Sequence, residues 1–243
     1  ATGVVTVAGA INRETDGPVR SITVRATSTD GSTNDSVFSI NIIDVNEFSV
    51  TAPIDANPAV NQVNENAVIG TTVGITASAS DADATNNGVS YSLFNNDGGR
   101  FAIDAARGVV ADAGGSHRET DGPGRSVTVR ATSTDGSTSD SVFSINIIDV
   151  NEFAVTAPID SNPAVNQVNE NVVIGTTVGI TASASDADAT NNGVAYSLFN
   201  NDGGRFAINA TTGVVTVAGA INRETDGPVR SITVRATSTD GST

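Results

Sequence analysis

The sequence predicts an all-β protein built from tandem seven-stranded Greek-key β-sandwiches, and three observations lead to this fold class. The chain repeats with the period of one compact domain, because Gly3, Gly108 and Gly213 each precede Val-Val and 108 − 3 = 213 − 108 = 105. Apolar and polar residues alternate over short segments, which is the period-two pattern of half-buried strands. Gly, Asn and Asp separate these segments as turn residues, and no segment carries a helical period long enough for a helix.

The repeat also sets the domain boundaries. Residues 2–33 recur unchanged as residues 212–243, and the segment Asp-Val-Asn-Glu-Phe recurs at residues 44–48 and 149–153. We call these two segments the first joint and the second joint, and we place the boundaries within them. The sequence then predicts the C-terminal half of one repeat, a complete repeat, and a third repeat lacking its last strand, at residues 1–47, 48–152 and 153–243. The chain starts within a repeat, as we expect of a fragment of a longer protein.

The complete repeat contains seven segments that we predict to be strands, near residues 60–64, 72–79, 89–93, 101–103, 108–110, 127–132 and 143–149. Residues 48–59 carry two prolines and should form an extended linker. The predicted core is small and aliphatic and consists of Ile75, Ala77, Tyr91, Leu93, Phe101, Ile103, Val110, Val127, Val129, Phe143, Ile145 and Ile147. This profile is typical of a sandwich of the immunoglobulin type, here without its Cys and Trp.

The complete repeat departs from the other two mainly between residues 106 and 127. Asp112, Ser116 and Gly124 stand where the other repeats have Val, Ile and Val. A buried carboxylate without partners is costly. We therefore predict that Asp112 is exposed because its strand ends early.

Composition excludes several classes of function. The chain has 27 acidic and 12 basic residues, for a net charge of −15, which argues against a nucleic-acid partner. The absence of Cys excludes disulfides and thiolate metal sites. No apolar run approaches the length of a membrane span, so we expect no direct membrane insertion of this fragment. The acidic excess indicates solubility or cation binding, and charge alone favours solubility.

Four acidic motifs recur in the same order along the chain. They are Glu65 and Glu170 for the first motif, Asp81, Asp83, Asp186 and Asp188 for the second, Glu14, Glu119 and Glu224 for the third, and Asp44, Asn46, Glu47, Asp149, Asn151 and Glu152 for the fourth. This set resembles the motifs of cadherin repeats, specifically the bacterial cadherin-like modules of large exported adhesins. In that family a repeat carries a Glu near its start, an Asp-x-Asp after its second strand, an Asp-Arg-Glu before its sixth strand and an Asp-x-Asn-Asp-Asn at its end. Each motif is weak alone, but their order and spacing over the complete repeat and both partial ones are specific.

The resemblance implies that these residues bind Ca2+ at the joints, with ligands from two neighbouring repeats. Calcium takes six to eight oxygen ligands in loose geometry. The family has Asp where this chain has Asn12, His117 or Asn222, and it has Asp-Asn where the joints have Glu-Phe. With fewer charged ligands, we expect about one or two ions at each joint. The first joint has no upstream counterpart of Glu65, so we expect its site to be incomplete.

Other readings of the acidic residues are weaker. Residues 81–88 lack the Gly and the final Glu of an EF-hand loop, and no helices are predicted beside them. No enzyme activity is expected, because there is no Gly-x-Ser-x-Gly turn and no Cys nucleophile. His117, the single histidine, should be a solvated loop residue. Carboxylates that recur at every joint suit a structural role better than glycoside hydrolysis.

We therefore predict a calcium-dependent cell-adhesion module whose tandem repeats are made rigid by Ca2+ at the joints. Its location would be extracellular or on the cell surface, with the membrane anchor of the parent outside this fragment. The expected partner is protein, either its own or other adhesin repeats in homophilic contact, or else a surface glycan. A carbohydrate-binding module and a passive spacer remain as alternatives, although the lack of Trp disfavours stacking on sugar rings.

The incomplete repeats raise one further alternative. The strand that the third repeat lacks is encoded by residues 37–44 of the first. Truncation with a frayed end is the simpler expectation. Addition of that strand from a neighbouring molecule is the other.

Overall fold

The computed structural model describes residues 2–243, and the fold is all-β, as the sequence predicts. The strands in this range are β1 Val19–Thr27, β2 Thr33–Asn41, β3 Ile54–Asp55, β4 Gln62–Asn64, β5 Thr72–Ser78, β6 Val89–Asn95, β7 Phe101–Ile103, β8 Val109–Asp112, β9 Gly124–Ser133, β10 Thr138–Ile148, β11 Ile159–Asp160, β12 Thr177–Ser183, β13 Val194–Asn200, β14 Phe206–Ile208, β15 Val214–Val217 and β16 Thr233–Ser238. Single-turn helices with the sequence Arg-Glu-Thr-Asp are α1 Arg13–Asp16, α2 Arg118–Asp121 and α3 Arg223–Asp226.

Backbone packing divides the chain into two compact units. Unit 1 runs from the N-terminus to Val63 and includes Ala67–Gly115 and Gly124–Asn146. Unit 2 consists of Asn64–Asn66, Ser116–Pro123 and Ile147–Thr243. The first joint therefore lies wholly in unit 1 and the second joint wholly in unit 2, so the candidate site at each joint can be described within one unit.

The complete repeat is a sandwich of two four-stranded sheets. Their strand orders are β3-β5-β8-β7 and β4-β10-β9-β6. Alternate residues of the strands point inward, as the period-two pattern predicts. Eight of the twelve predicted core residues are buried, namely Ile75, Ala77, Phe101, Val110, Val127, Val129, Ile145 and Ile147. Tyr91, Leu93, Ile103 and Phe143 are half-buried.

The other two repeats are less complete over the described range. In the first, β1 and β2 form a two-stranded sheet. In the third, one sheet has the order β11-β12-β15-β14 and the second contains β13 and β16. Val178, Phe206, Val215, Val217 and Ile221 form the buried centre of the third repeat.

The prediction that Asp112 is exposed is wrong. Strand β8 does not end early, because it has the same four-residue length as β15, and Asp112 pairs with Phe101 as Val217 pairs with Phe206. Asp112 is 3% exposed, and its Oδ2 has no hydrogen-bond partner. The sheet register therefore places a carboxylate where the third repeat has a buried Val.

Candidate metal centre

A single helical turn holds the Glu of each Arg-Glu-Thr-Asp segment next to a joint. In unit 1, Asn12 caps α1 by accepting a hydrogen bond from the backbone N–H of Thr15 at 2.8 Å. The Arg13 guanidinium donates to the carbonyl oxygen of Ile42, just before the first joint. In unit 2, the Arg118 guanidinium donates in the same way to Ile147. Each Arg thus places the neighbouring Glu14 or Glu119 beside a joint.

The first joint gathers carboxylates from distant parts of unit 1. Glu14, Asp44 and Glu47 each offer an oxygen within 4.8 Å of the others, and Asp81, Asp83 and Asp135 form a second group by the same measure. The backbone N–H of Glu47 donates to Asp83 Oδ1 at 3.1 Å, and that of Thr85 donates to Asp44 Oδ2 at 2.8 Å. These bonds connect the joint to the loop that follows β5.

The second joint also gathers two groups of carboxylates within unit 2, but Asp149, a predicted ligand and the counterpart of Asp44, belongs to neither of them. Glu65, Glu119 and Glu152 form one group, and Asp186, Asp188 and Asp240 form the other. Asp188 is 2% exposed, and its Oδ1 accepts the backbone N–H groups of Glu152 and Phe153, both at 3.1 Å.

Glu65 is a further carboxylate beside the second joint. It is 2% exposed and accepts backbone N–H groups from Val150 at 2.8 Å and from Arg118 at 2.6 Å. The carboxylate is therefore held rigidly beside the second joint. Among residues 2–243, the carboxylates of Glu14, Asp44 and Glu47 meet at the first joint without a counterpart of Glu65.

The carboxylates leave oxygens that no donor satisfies. At the two joints, the buried carboxylate oxygens without a hydrogen-bond partner are Glu14 Oε2, Asp44 Oδ1, Asp81 Oδ2, Asp83 Oδ2, Asp149 Oδ1, Asp186 Oδ2 and Asp188 Oδ2. A typical carboxylate here accepts backbone hydrogen bonds through one oxygen and leaves the other buried without a partner. Burying negative charge in this way is costly unless a cation compensates. The donor set, made only of oxygen, fits Ca2+.

Carboxylates at the joints repel one another, and this repulsion contributes to raised pKa values of Glu47 and Glu152. Burial, and then repulsion from Glu14 and other carboxylates, raises the pKa of Glu47 above its usual value. Burial, and then repulsion from Glu65 and Asp188, raises the pKa of Glu152. Burial acts to raise the pKa of Asp149, but hydrogen bonds from Thr190 and with Glu119 and Glu65 together lower the pKa overall. The joints are therefore strongly negative, and a cation would relieve the repulsion.

The structure differs from the sequence-based ligand list at a few positions. Asp135 and Asp240 belong to the two Asp groups but were not among the predicted ligands. They lie in Thr-Asp-Gly-Ser-Thr turns, and they accept the side-chain amides of Asn46 and Asn151, each at 2.8 Å. The signal was the recurrence of this turn in every repeat, but alone it is an ordinary β-turn.

Glu170 and Glu224 were predicted as ligands, and they belong to none of the acidic groups found among residues 2–243. Glu170 accepts the backbone N–H of Arg223 at 2.8 Å, as Glu65 accepts that of Arg118. No third joint follows β16 within this range to bring further carboxylates beside them.

Comparisons with known proteins point to one domain family. The cadherin domain family model matches residues 165–243. Protocadherin Fat 4 of Mus musculus is 34% identical over 209 residues, covering 82% of this chain and 4% of the relative. Neural-cadherin of Drosophila melanogaster is 36% identical over 208 residues, covering 79% of this chain and 6% of the relative. The chain thus spans only a small part of these relatives.

Solved structures show the same fold. A crystal structure of mouse cadherin-23 EC22-24 has a TM-score of 0.70 and 26% identity, and the match covers 96% of this chain and 73% of that one. Mouse protocadherin-24 EC1-3 has a TM-score of 0.67 at 23% identity, covering 96% and 76%. No helix among residues 2–243 is long and apolar enough to cross a membrane.

Proposed function

We infer that this chain, which belongs to the cadherin domain family, is a calcium-dependent cell-adhesion module. Cadherin domains are extracellular adhesion modules rather than enzymes, and they generally bind Ca2+. The observation that carries the proposal is the set of buried carboxylate oxygens without donors at both joints. The chain covers only 4% of the length of Protocadherin Fat 4, so the proposal concerns this segment and not the activity of a complete protein.

We propose that each joint holds calcium through the acidic groups that surround it. At the first joint the ligands would be Glu14, Asp44, Glu47, Asp81, Asp83 and Asp135, and Asn46 is a further candidate. At the second they would be Glu65, Glu119, Asp149, Glu152, Asp186, Asp188 and Asp240, and Asn151 is a further candidate. The ion would supply positive charge that turns repulsion between carboxylates into attraction. It would thereby fix the joint residues to the loop that carries the Asp-x-Asp segment.

The sequence-based boundaries at residues 1–47, 48–152 and 153–243 are kept as part of this proposal. We infer from its cadherin relatives that the partner of this chain is another cadherin repeat, which includes a repeat of a second copy. A surface glycan gains no support from them. The named relatives are animal proteins and give no support to a bacterial source, which stays a prediction. A membrane-anchored parent protein also stays a prediction.

Calcium binding can be tested by isothermal titration calorimetry on the 243-residue chain. Asp188→Asn should lower the calcium affinity or stoichiometry, because it removes charge while keeping an oxygen that can accept from Glu152 and Phe153. Asp30→Asn is the matched control, because Asp30 occupies the same turn as Asp240 but belongs to none of the acidic groups found among residues 2–243. Absence of calcium binding, or equal effects of both substitutions, would contradict the proposal.

Adhesion needs a separate assay. Beads coated with the 243-residue chain should cluster in calcium and disperse in a chelator, and Asp188→Asn should weaken the clustering. Calcium binding without clustering would indicate a passive spacer and would reject homophilic adhesion by this segment.

A further inference from the structure

The loop between β14 and β15 contains a triplet that the complete repeat lacks. In the third repeat this loop begins with Asn209, Ala210, Thr211 and Thr212, whereas residues 104–107 of the complete repeat read Asp-Ala-Ala-Arg. An Asn-x-Ser/Thr triplet in which x is not Pro is the acceptor sequence for N-linked glycosylation. The loop of the third repeat has therefore exchanged two charged residues for neutral ones and gained this triplet.

The triplet lies on the surface of the third repeat. Asn209, Ala210 and Thr211 are all exposed. Asn209 directly follows β14, which is the last strand in the sheet order β11-β12-β15-β14. Strand β7 has the same position in the sheet of the complete repeat, so this edge is a property of the repeat. A glycan attached to Asn209 would extend into solvent without displacing packed side chains.

Backbone hydrogen bonds hold the loop against two neighbouring strands. The N–H of Asn209 donates to the carbonyl of Val214 in β15, and the N–H of Gly213 donates to the carbonyl of Asn209, both at 2.9 Å. The N–H of Tyr196 in β13 donates to the carbonyl of Ala210, also at 2.9 Å. A glycan would therefore be attached at a fixed point of the sandwich.

The side-chain amide of Asn209 is bound to the loop through its oxygen. Oδ1 accepts the backbone N–H groups of Thr211 and Thr212, at 3.0 and 2.9 Å. Among residues 2–243, no acceptor takes a hydrogen bond from Nδ2. Nδ2 is the atom that N-linked glycosylation modifies, so the modification would break no hydrogen bond of the folded loop.

The complete repeat shows which groups this loop needs for folding. Oδ1 of Asp104 accepts the backbone N–H groups of Ala106 and Arg107, at 2.9 and 3.0 Å, so the same turn forms there with a carboxylate. The turn thus requires an oxygen acceptor at its first position, but neither an amide nitrogen nor a hydroxyl two residues later. Those two groups, Nδ2 of Asn209 and the hydroxyl of Thr211, are the ones that glycosylation requires.

We propose that Asn209 is the acceptor of an N-linked glycan. Cadherin domains are extracellular, and surface Asn-x-Ser/Thr triplets of secreted proteins are the sites of this modification. The donor would be an oligosaccharide joined to a lipid through pyrophosphate. Nδ2 forms a bond to the anomeric carbon of the sugar and loses one proton, while the bond from that carbon to the pyrophosphate oxygen breaks and the lipid pyrophosphate leaves with the electron pair.

Secretion of the 243-residue chain from cultured animal cells, behind a cleavable signal sequence, tests the proposal. Trypsin should release the peptide of residues 206–223 with a glycan, and peptide N-glycosidase should remove that glycan and convert Asn209 to Asp. Asn209→Asp should abolish the glycan while keeping the turn, as Asp104 does in the complete repeat. Thr211→Ala should also abolish it, although Nδ2 is still present.

Two further variants separate the triplet from the rest of the loop. Thr211→Ser keeps a hydroxyl and should retain the glycan. Thr212→Ala is the matched control, because it removes the neighbouring hydroxyl outside the triplet, and it should also leave the glycan in place. The other such triplet of the sequence, at residues 34–36, stays intact in every variant and lies in a different tryptic peptide, so mass spectrometry reads it separately.

An unmodified peptide of residues 206–223 in the wild-type chain would overturn the proposal. A glycan on this peptide that survives Thr211→Ala would also overturn it, since its attachment would not depend on the triplet. Chain retained inside the cells is digested in the same way, so poor secretion of a variant still gives a result. Calcium binding at the joints has no part in this experiment, and its outcome is independent of the proposed function.

Discussion

Replacing Asp112 by Val should stabilise the complete repeat, and the third repeat provides the template. Val217 occupies the same position in β15, pairs with Phe206 and is 2% exposed. Asp112 pairs with Phe101 and is 3% exposed, with Oδ2 unpartnered. The substitution therefore exchanges a buried carboxylate for the residue that the fold accepts at the equivalent site.

The magnitude follows from two contributions. Removing a buried polar group that lacks a partner should recover about 1–3 kcal/mol. Burying a Val side chain contributes roughly 1.5–3 kcal/mol, reduced here because Asp112 already fills part of the space. Together they predict an increase of about 2–4 kcal/mol in the free energy of unfolding at neutral pH.

The gain should depend on pH. Burial raises the pKa of Asp112 above its usual value, against a smaller opposite effect of a hydrogen bond from the Gly114 backbone N–H. A raised pKa means that the folded state binds the proton more tightly than the unfolded state. The contribution of the protonated acid is present at low pH and is lost as pH rises through the folded-state pKa. The advantage of Asp112→Val should therefore be smallest in acid and grow toward neutral pH.

Urea unfolding followed by circular dichroism, at several pH values between about 4 and 8, measures this change. Hydrogen exchange of peptides from residues 101–112 assigns it to the complete repeat. Val217→Asp is the reciprocal control and should destabilise the third repeat. An unchanged unfolding midpoint in Asp112→Val, or a gain that is equal at acidic and neutral pH, would refute the reasoning.

Three further outcomes are expected. Gly108→Ala should lower the free energy of unfolding by about 3 kcal/mol, since φ of Gly108 is +69° and a Cβ would lie 2.2 Å from the carbonyl oxygen of Ala77. Gly99→Ala is the control in the same urea experiment. It should lower the free energy of unfolding by only about 1–2 kcal/mol, because Gly99 has φ +92° but no heavy atom lies within 4 Å of its added Cβ. Tyr91→Phe should lower stability by about 1–2 kcal/mol, because the Tyr91 hydroxyl accepts the backbone N–H of Ala79 at 2.9 Å, and equal unfolding midpoints would contradict this. A chelator should lower the calorimetric melting temperature if calcium is bound, and readdition of calcium, but not magnesium, should restore it.

Much of the fold could be predicted because strand periodicity is a local property. Alternation located seven segments of the complete repeat, and each coincides with a strand; the additional two-residue strand β3 lies in the predicted linker. Strong apolar positions such as Ile75 and Val129 were assigned to the core and are buried. Asp112 was misplaced because its polarity suggested exposure, while the register of β8 with β7 decided its burial.

The candidate site was predictable only in part, for a similar reason. Acidic motifs at the joints and in the Asp-x-Asp loops were visible as recurring residues, and the structure brings most of them together. Asp135 lies more than 50 residues from Asp81 and Asp83, since 135 − 81 = 54 and 135 − 83 = 52, in a turn with no distinctive sequence. Only the packing of the β9–β10 hairpin brings it beside them.

The sequence by itself determined the repeat, the positions of the strands and the acidic character of the joints, because each depends only on the order and type of residues along the chain. The tertiary structure alone decided which carboxylate oxygens are buried without donors and that Asp112 points into the core. These features depend on which distant segments contact one another. Sheet register and hairpin packing determine those contacts, and no local run of residues does so.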